Sequence, residues 1–234
     1  MEPTSPAWTV FDADVPVLIH GYAFGPARVN ALAIGCEGGL IVVSPPYKAR
    51  QETFDELQRY GGVQGLVASN AFHHMGIPEW RRHFPGAMVF APVQSIARVQ
   101  RKTGIAGIRP ITDANTLMRG RVELTDMPYY RTGEALVRIR TSRGLAWYLT
   151  DIIVNVNDPP SNPLFRLVFN VFYGPGLHYN RIAPLLMVRD KTALQRWLTE
   201  EYRKDNPRWL LVAHGDTVDF AAAPQAGREL FGVS

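Results

Sequence analysis

The stretch from Val63 to Gly76 reads VQGLVASNAFHHMG. Val63 to Ala68 is a short apolar run, which predicts a strand. Ser69 to Gly76 is irregular, which predicts a loop carrying the adjacent pair His73-His74. Upstream, Leu40 to Val43 predicts another strand, stopped by Ser44-Pro45-Pro46 because proline has no N–H to donate to a ladder. Lys48 to Tyr60 predicts a helix, with Phe54 and Leu57 on one face and charges on the other. Gly61-Gly62 ends it, since glycine accepts the left-handed cap. Downstream, Ile77 to His83 predicts a short helix with Pro78 in its first turn. Ala87 to Ala91 then predicts a strand and Val93 to Lys102 a helix. This β-α-β-α order favours a layered α/β arrangement.

The flanks have a different texture. Val17 to Ile19 and Ala27 to Ile34 predict strands before the opening stretch. After it, Ile108 to Thr112, Arg121 to Leu124, Ala135 to Ile139 and Ala146 to Leu149 predict strands with mostly short connections, the mark of an antiparallel sheet. Residues 155–184 carry Pro159, Pro160, Pro163, Pro175 and Pro184, which predicts a long irregular insertion or lid. Asp190 caps a helix running to Lys204, Arg208 to Ala213 predicts a last strand, and Gln225 to Phe231 a closing helix.

The chain has 234 residues, a length that fits a single domain over 1–234. Its net charge of +4 is spread without a basic block, which argues against a nucleic-acid partner. The lone Cys36 excludes an intramolecular disulfide or a multi-cysteine metal site and fits a cytoplasmic protein. No targeting segment is visible and no run of ~18 apolar residues occurs. The most membrane-like piece, Leu164 to Tyr173, reads LFRLVFNVFY; it is too short to span, and a buried or lid helix is the favoured reading over membrane contact.

Three features with chemical capacity each follow a predicted strand: His73-His74, Asp151 in WYLTD, and His214 in LLVAHGD. Strand ends at one sheet edge are where ligand sites form. Imidazole nitrogen and carboxylate oxygen are the usual ligands of zinc or iron. Each residue also has an ordinary reading: a surface histidine pair, a turn aspartate, a hydrogen-bonded histidine before glycine.

Taken together, these motifs resemble the metallo-β-lactamase-fold superfamily over about residues 16–220. Where that family has H-x-H-x-D-H-x-x-G, this chain has Ser69-Asn70-Ala71-Phe72-His73-His74-Met75-Gly76. Pro128 to Glu134 takes the place of a PGHTPGS-like turn, Leu149-Thr150-Asp151 that of T-G-D, and Ala213-His214-Gly215 that of the final histidine. The N-A-F-H-H form also resembles an uncharacterised branch, the DUF4336-like proteins. The resemblance implies a four-layer αββα sandwich of two mixed sheets with helices outside.

The departures shape the functional expectation. Ser69, Ala71 and Tyr130 stand where the family places three histidines, and none can replace an imidazole on zinc. The first of two metal sites is therefore implied to be lost. The second is implied to persist on His73, His74, Asp151 and His214, holding one divalent metal, with zinc first and iron or manganese open. The family chemistry implies a metal-dependent hydrolase acting on a small-molecule ester, thioester or phosphoester. Tyr130 is then a candidate to stabilise developing charge, or packing in the vacated first site. The alternative is a non-catalytic ligand- or partner-binding protein with the metal structural or absent. A homo-oligomer is compatible with either. The absence of G-x-S-x-G, G-x-G-x-x-G and P-loop patterns excludes the corresponding serine-hydrolase and nucleotide-binding readings.

Overall fold

In the run Leu40-Ile41-Val42-Val43 successive side chains go to different layers: Ile41 and Val43 into one hydrophobic core, Leu40 and Val42 into another. An unbroken apolar strand needs such a setting, because its period of two sends neighbours to opposite faces and both are covered. The computed structural model, which describes residues 7–25, 27–158, 166, 169–170 and 174–233, repeats this arrangement on a second sheet. There Ala146 and Tyr148 join the same central core as Ile41, while Trp147 and Leu149 face a third.

The first sheet has seven strands in sequential order: β1 (Thr9–Asp12), β2 (Val17–Phe24), β3 (Ala27–Cys36), β4 (Gly39–Val43), β5 (Val63–Val67), β6 (Met88–Ala91) and β7 (Arg109–Pro110). Helices α1 (Gln51–Gln58), α2 (Ile77–His83) and α3 (Ile96–Thr103) connect its parallel half, and their buried residues pack on its outer face. The second sheet contains β8 (Val122–Asp126), β9 (Ala135–Thr141), β10 (Gly144–Leu149), β13 (Trp209–Val212) and β14 (Val218–Asp219), in the order β14-β13-β10-β9-β8. A separate pair is made by β11 (Ile153–Val156) and β12 (Gly176–Tyr179). Helices α4 (Ala183–Met187), α5 (Lys191–Asp205) and α6 (Pro224–Phe231) cover the outer face of the second sheet. Two mixed sheets with helices outside are the layers expected from sequence.

Three expectations change in detail. Ile108 to Thr112 is not one strand: β7 stops at Pro110, and a 3-10 helix runs from Ile111 to Leu117. Proline offers no further ladder donor there, and Asn115 ties the turn to β8 through both its amide and its oxygen, at 3.0 and 2.7 Å from the backbone of Leu124. Next, of the strands grouped as one antiparallel sheet, β7 belongs to the first sheet, where it pairs in parallel with β6, while β8, β9 and β10 pair antiparallel in the second. Finally, the 155–184 connection is less irregular than expected at its ends, where β11 pairs with β12 and α4 begins. Most of Leu164 to Tyr173 lies outside the described residues. No helix of the described residues is long and apolar enough to cross a membrane.

Each sheet contains a parallel pair whose C-terminal ends lie at a shared rim: β4 with β5, and β10 with β13. Backbone bonds stitch the two sheets there. Ala135 N–H donates to Ser69 at 2.8 Å, and Asn30 N–H donates to Ala213 at 2.7 Å.

Candidate metal centre

The loop after β5 leaves the sheet at Ser69 and enters α2 at Gly76. A Cβ on Gly76 would fall 2.2 Å from the Pro45 carbonyl oxygen and 2.4 Å from that of Pro46, so only glycine lets the loop lie this close to the end of β4. The Trp80 indole N–H fixes the same contact by donating to Pro46 at 2.9 Å. Within the loop, Asn70 Oδ1 accepts from the N–H groups of Phe72 and His73 at 2.7 and 3.1 Å, a turn that aims His73 at the rim.

Asp151 follows β10 and His214 follows β13. Gly215 fixes the second position: its φ is +115°, and a Cβ there would lie 1.9 Å from the Asn155 carbonyl oxygen. Asn30 Nδ2 holds the same turn by donating to Val212 and Gly215 at 3.0 and 2.7 Å.

These segments bring His73, Asp151 and His214 together, with one ligand-capable atom of each within 4.8 Å of the others. Asp151 Oδ1 is the shared point, 3.3 Å from His73 Nε2 and 3.0 Å from His214 Nε2. Two ligands each about 2.0–2.1 Å from a tetrahedral ion would themselves be roughly 3.3 Å apart. The spacing and the donor chemistry therefore fit a divalent ion held by two imidazoles and one carboxylate. Burial pushes the Asp151 carboxyl up, but His73 and the hydrogen bond from His214 outweigh it and hold the carboxyl well below the usual carboxylate range.

His74, the other expected ligand, is not a member of this group. Its Nδ1 is 3.0 Å from the Ala71 carbonyl oxygen, and burial, with Arg98 and Lys102 nearby, pushes its pKa down. Tyr130 is 2% exposed and packs with Met187 and Val188 in the third core; its hydroxyl has no hydrogen-bond partner among the described residues. Ser69 and Ala71 are buried, and the Ser69 hydroxyl is paired with that of Ser44 at 2.7 Å.

Two residues of the centre were not singled out from sequence. Asn70 Nδ2 reaches Glu134 Oε2 at 2.9 Å and Asp151 Oδ2 at 2.7 Å. Glu134 Oε1 accepts from the N–H groups of Thr150 and Asp151 at 3.1 and 3.4 Å, and from the Thr150 hydroxyl. Burial and the nearby Asp151 charge push Glu134 up to about 8. The one local signal is a glutamate between Gly133 and the apolar run Ala135-Leu136-Val137.

The three ligand-capable groups line a cavity of about 400 Å³. Tyr22, Phe24, Tyr47, Phe72, Met75 and Leu186 are among its other walls. Burial and the Asp151 charge push the Tyr22 phenol up to about 12, so it stays neutral.

No protein-family model and no curated protein matches the sequence. Solved structures do match. The metallo-β-lactamase DIM-1 superposes with a TM-score of 0.62 at 11% identity, covering 97% of this chain and 98% of that one. The mono-zinc form of the metallo-β-lactamase FIM-1 from Pseudomonas aeruginosa gives 0.57 at 13% identity over 100% and 95%. A mutant of the flavo di-iron protein from Thermotoga maritima gives 0.64 at 11% identity, covering 96% of this chain and 60% of that longer one. Two sheets that meet at one rim, with helices outside and a superposition over nearly the whole length, show that this chain has the metallo-β-lactamase fold.

Proposed function

We propose that the protein is a metal-dependent hydrolase with a mononuclear centre, in which His73, Asp151 and His214 hold one divalent ion, zinc in the first place and iron or manganese in the second. The carrying observation is the shared approach of both imidazole Nε2 atoms to Asp151 Oδ1 in the wall of a cavity. Three protein ligands leave a coordination position open, as catalytic centres require. An ion bound there would supply a nucleophile at neutral pH by lowering the pKa of its water to about 7.

The chain's own residues do the rest. Asn70 orients both the His73 loop and the Asp151 carboxylate. Glu134 fixes the backbone at Asp151. Asn180, Ile182 and Ala183, at the end of the 155–184 connection, form part of the cavity wall. His74 is assigned to holding its loop, and Tyr130 to packing where the lost first metal site would have been. An ester, thioester or phosphoester of a small molecule is the substrate class proposed with it. Membership of the DUF4336-like branch rests on the Asn70 to His74 run alone.

The test is metal content by elemental analysis of protein purified without an affinity chelate, beside His214→Ala. About one ion per chain in the parent and little in the variant is expected. No ion in the parent after incubation with zinc, manganese or ferrous iron overturns the reading and leaves a ligand-binding protein on the same fold.

A further inference from the structure

The cavity beside the centre has a composition of its own. Among the described residues, no lysine or arginine lines it. Among the described residues its polar side chains are confined to the three ligand-capable residues, the Tyr22 and Tyr47 phenols, and Asn180. The Asn180 side-chain oxygen is already used, accepting from the N–H groups of Ile182 and Ala183 at 2.9 and 3.2 Å. The remaining wall is apolar, and the apolar character continues onto the rim, where Phe72, Met75 and Leu186 are 38, 41 and 66% exposed. Large apolar side chains left in water around the mouth of a cavity mark a surface that an apolar ligand covers. A phosphoester brought here would lose water from several charged oxygens with the ion of the proposed centre as the one cation to meet them and no cationic side chain among the described wall residues, which is costly.

We infer that the substrate is a carboxylic ester or thioester with a neutral, apolar acyl chain, the chain lying against Phe72, Met75, Ile182 and Leu186 and the carbonyl beside His73, Asp151 and His214. This rests on the hydrolase reading and narrows it by setting phosphoesters aside. In the reaction, water oxygen bonds to the acyl carbon, the carbon–oxygen or carbon–sulfur bond to the leaving group breaks, and one water proton goes to the departing alcohol or thiol. A carboxylic acid and that alcohol or thiol are the products.

Two measurements on the metal-loaded full chain test this and keep it separable from the reading it rests on. The first is kcat/KM for p-nitrophenyl esters from acetate to laurate, with p-nitrophenyl phosphate alongside and His214→Ala as the blank. A rise of about two- to fourfold per added methylene is expected until the cavity is filled, with little turnover of the phosphate. Met75→Glu is expected to flatten the series, costing the laurate at least tenfold relative to the acetate. The second is binding of methyl ketones from acetone to 2-tridecanone, which carry the same chain and cannot be hydrolysed, by calorimetry. Ester turnover with no chain-length dependence, or preference for the phosphate, overturns this inference and leaves the hydrolase reading standing. Ketone affinity that rises with chain length in a protein that turns over no ester overturns the hydrolase reading and keeps the apolar-chain site. Neither turnover nor length-dependent binding overturns both.

Discussion

Asn70 illustrates how much one neutral side chain can organise. Its oxygen shapes the loop that presents His73, and its amide spans two neighbouring carboxyl groups, that of the buried Glu134 and that of the partly buried Asp151. Asn70→Ala leaves those oxygens short of a donor, and an unsatisfied buried polar group costs about 1–3 kcal/mol, more when charged. We expect a loss of about 2–3 kcal/mol in urea unfolding and at least tenfold weaker metal binding in a competition titration, the usual scale for groups that orient ligands. A change under 0.5 kcal/mol with unaltered affinity would mean the amide is incidental. His73, Asp151 and His214 were legible in the sequence because each follows a strand, where chemistry-bearing residues concentrate. Asn70 and Glu134 were not, because their meaning lies in a contact across 64 residues that has no local spacing. His74 shows the converse: it satisfies the pattern, yet adjacent side chains on a loop diverge, and only one of the pair joins the Asp151 cluster.

At the level of elements, legibility tracked how much of an element's reason is local. α5 carries its own start signal: Asp190 Oδ1 accepts from Ala193 N–H at 2.9 Å, and Asn206 closes the helix in the left-handed region at φ 43°. Asp190→Ala should cost about 1 kcal/mol in chemical denaturation, the usual loss of an N-cap; no measurable change would show the cap to be redundant with packing. The helix is also tied to the second sheet by Arg138, whose Nε donates to Asp205 at 2.5 Å and whose Nη2 pairs with Glu201. That contact was invisible from sequence because Arg138 interrupts a strand that otherwise reads as plain core. β14 and the β11–β12 pair are illegible for a related reason. β14 has two residues, and β11 pairs with a strand some twenty residues away, so neither shows a hairpin turn or a full period of alternation.

At the scale of the whole molecule, the cores between and outside the sheets follow from unbroken apolar runs such as residues 40–43 and 146–149, whose neighbouring side chains go to opposite faces, and so the layer order could be read in advance. The same architecture at 11–13% identity to the solved structures shows that the layers tolerate almost complete replacement of side chains. What the layers deliver is the meeting of two independent sheet edges, with His73 from one and Asp151 and His214 from the other. An ion held by all three would be a removable cross-link between the halves of the sandwich. Its binding energy would then count toward folding, at about 2.7 kcal/mol when free metal is a hundredfold above its dissociation constant. Chelation should lower the melting temperature by roughly 5–10 °C for a chain of this size, and a melting curve indifferent to chelator would show that the edges hold without it. The rim that would carry out the chemistry would also be the seam that opens first, so that starving the protein of metal would expose the 69–76 loop to proteases before any other part of the sheet unfolds.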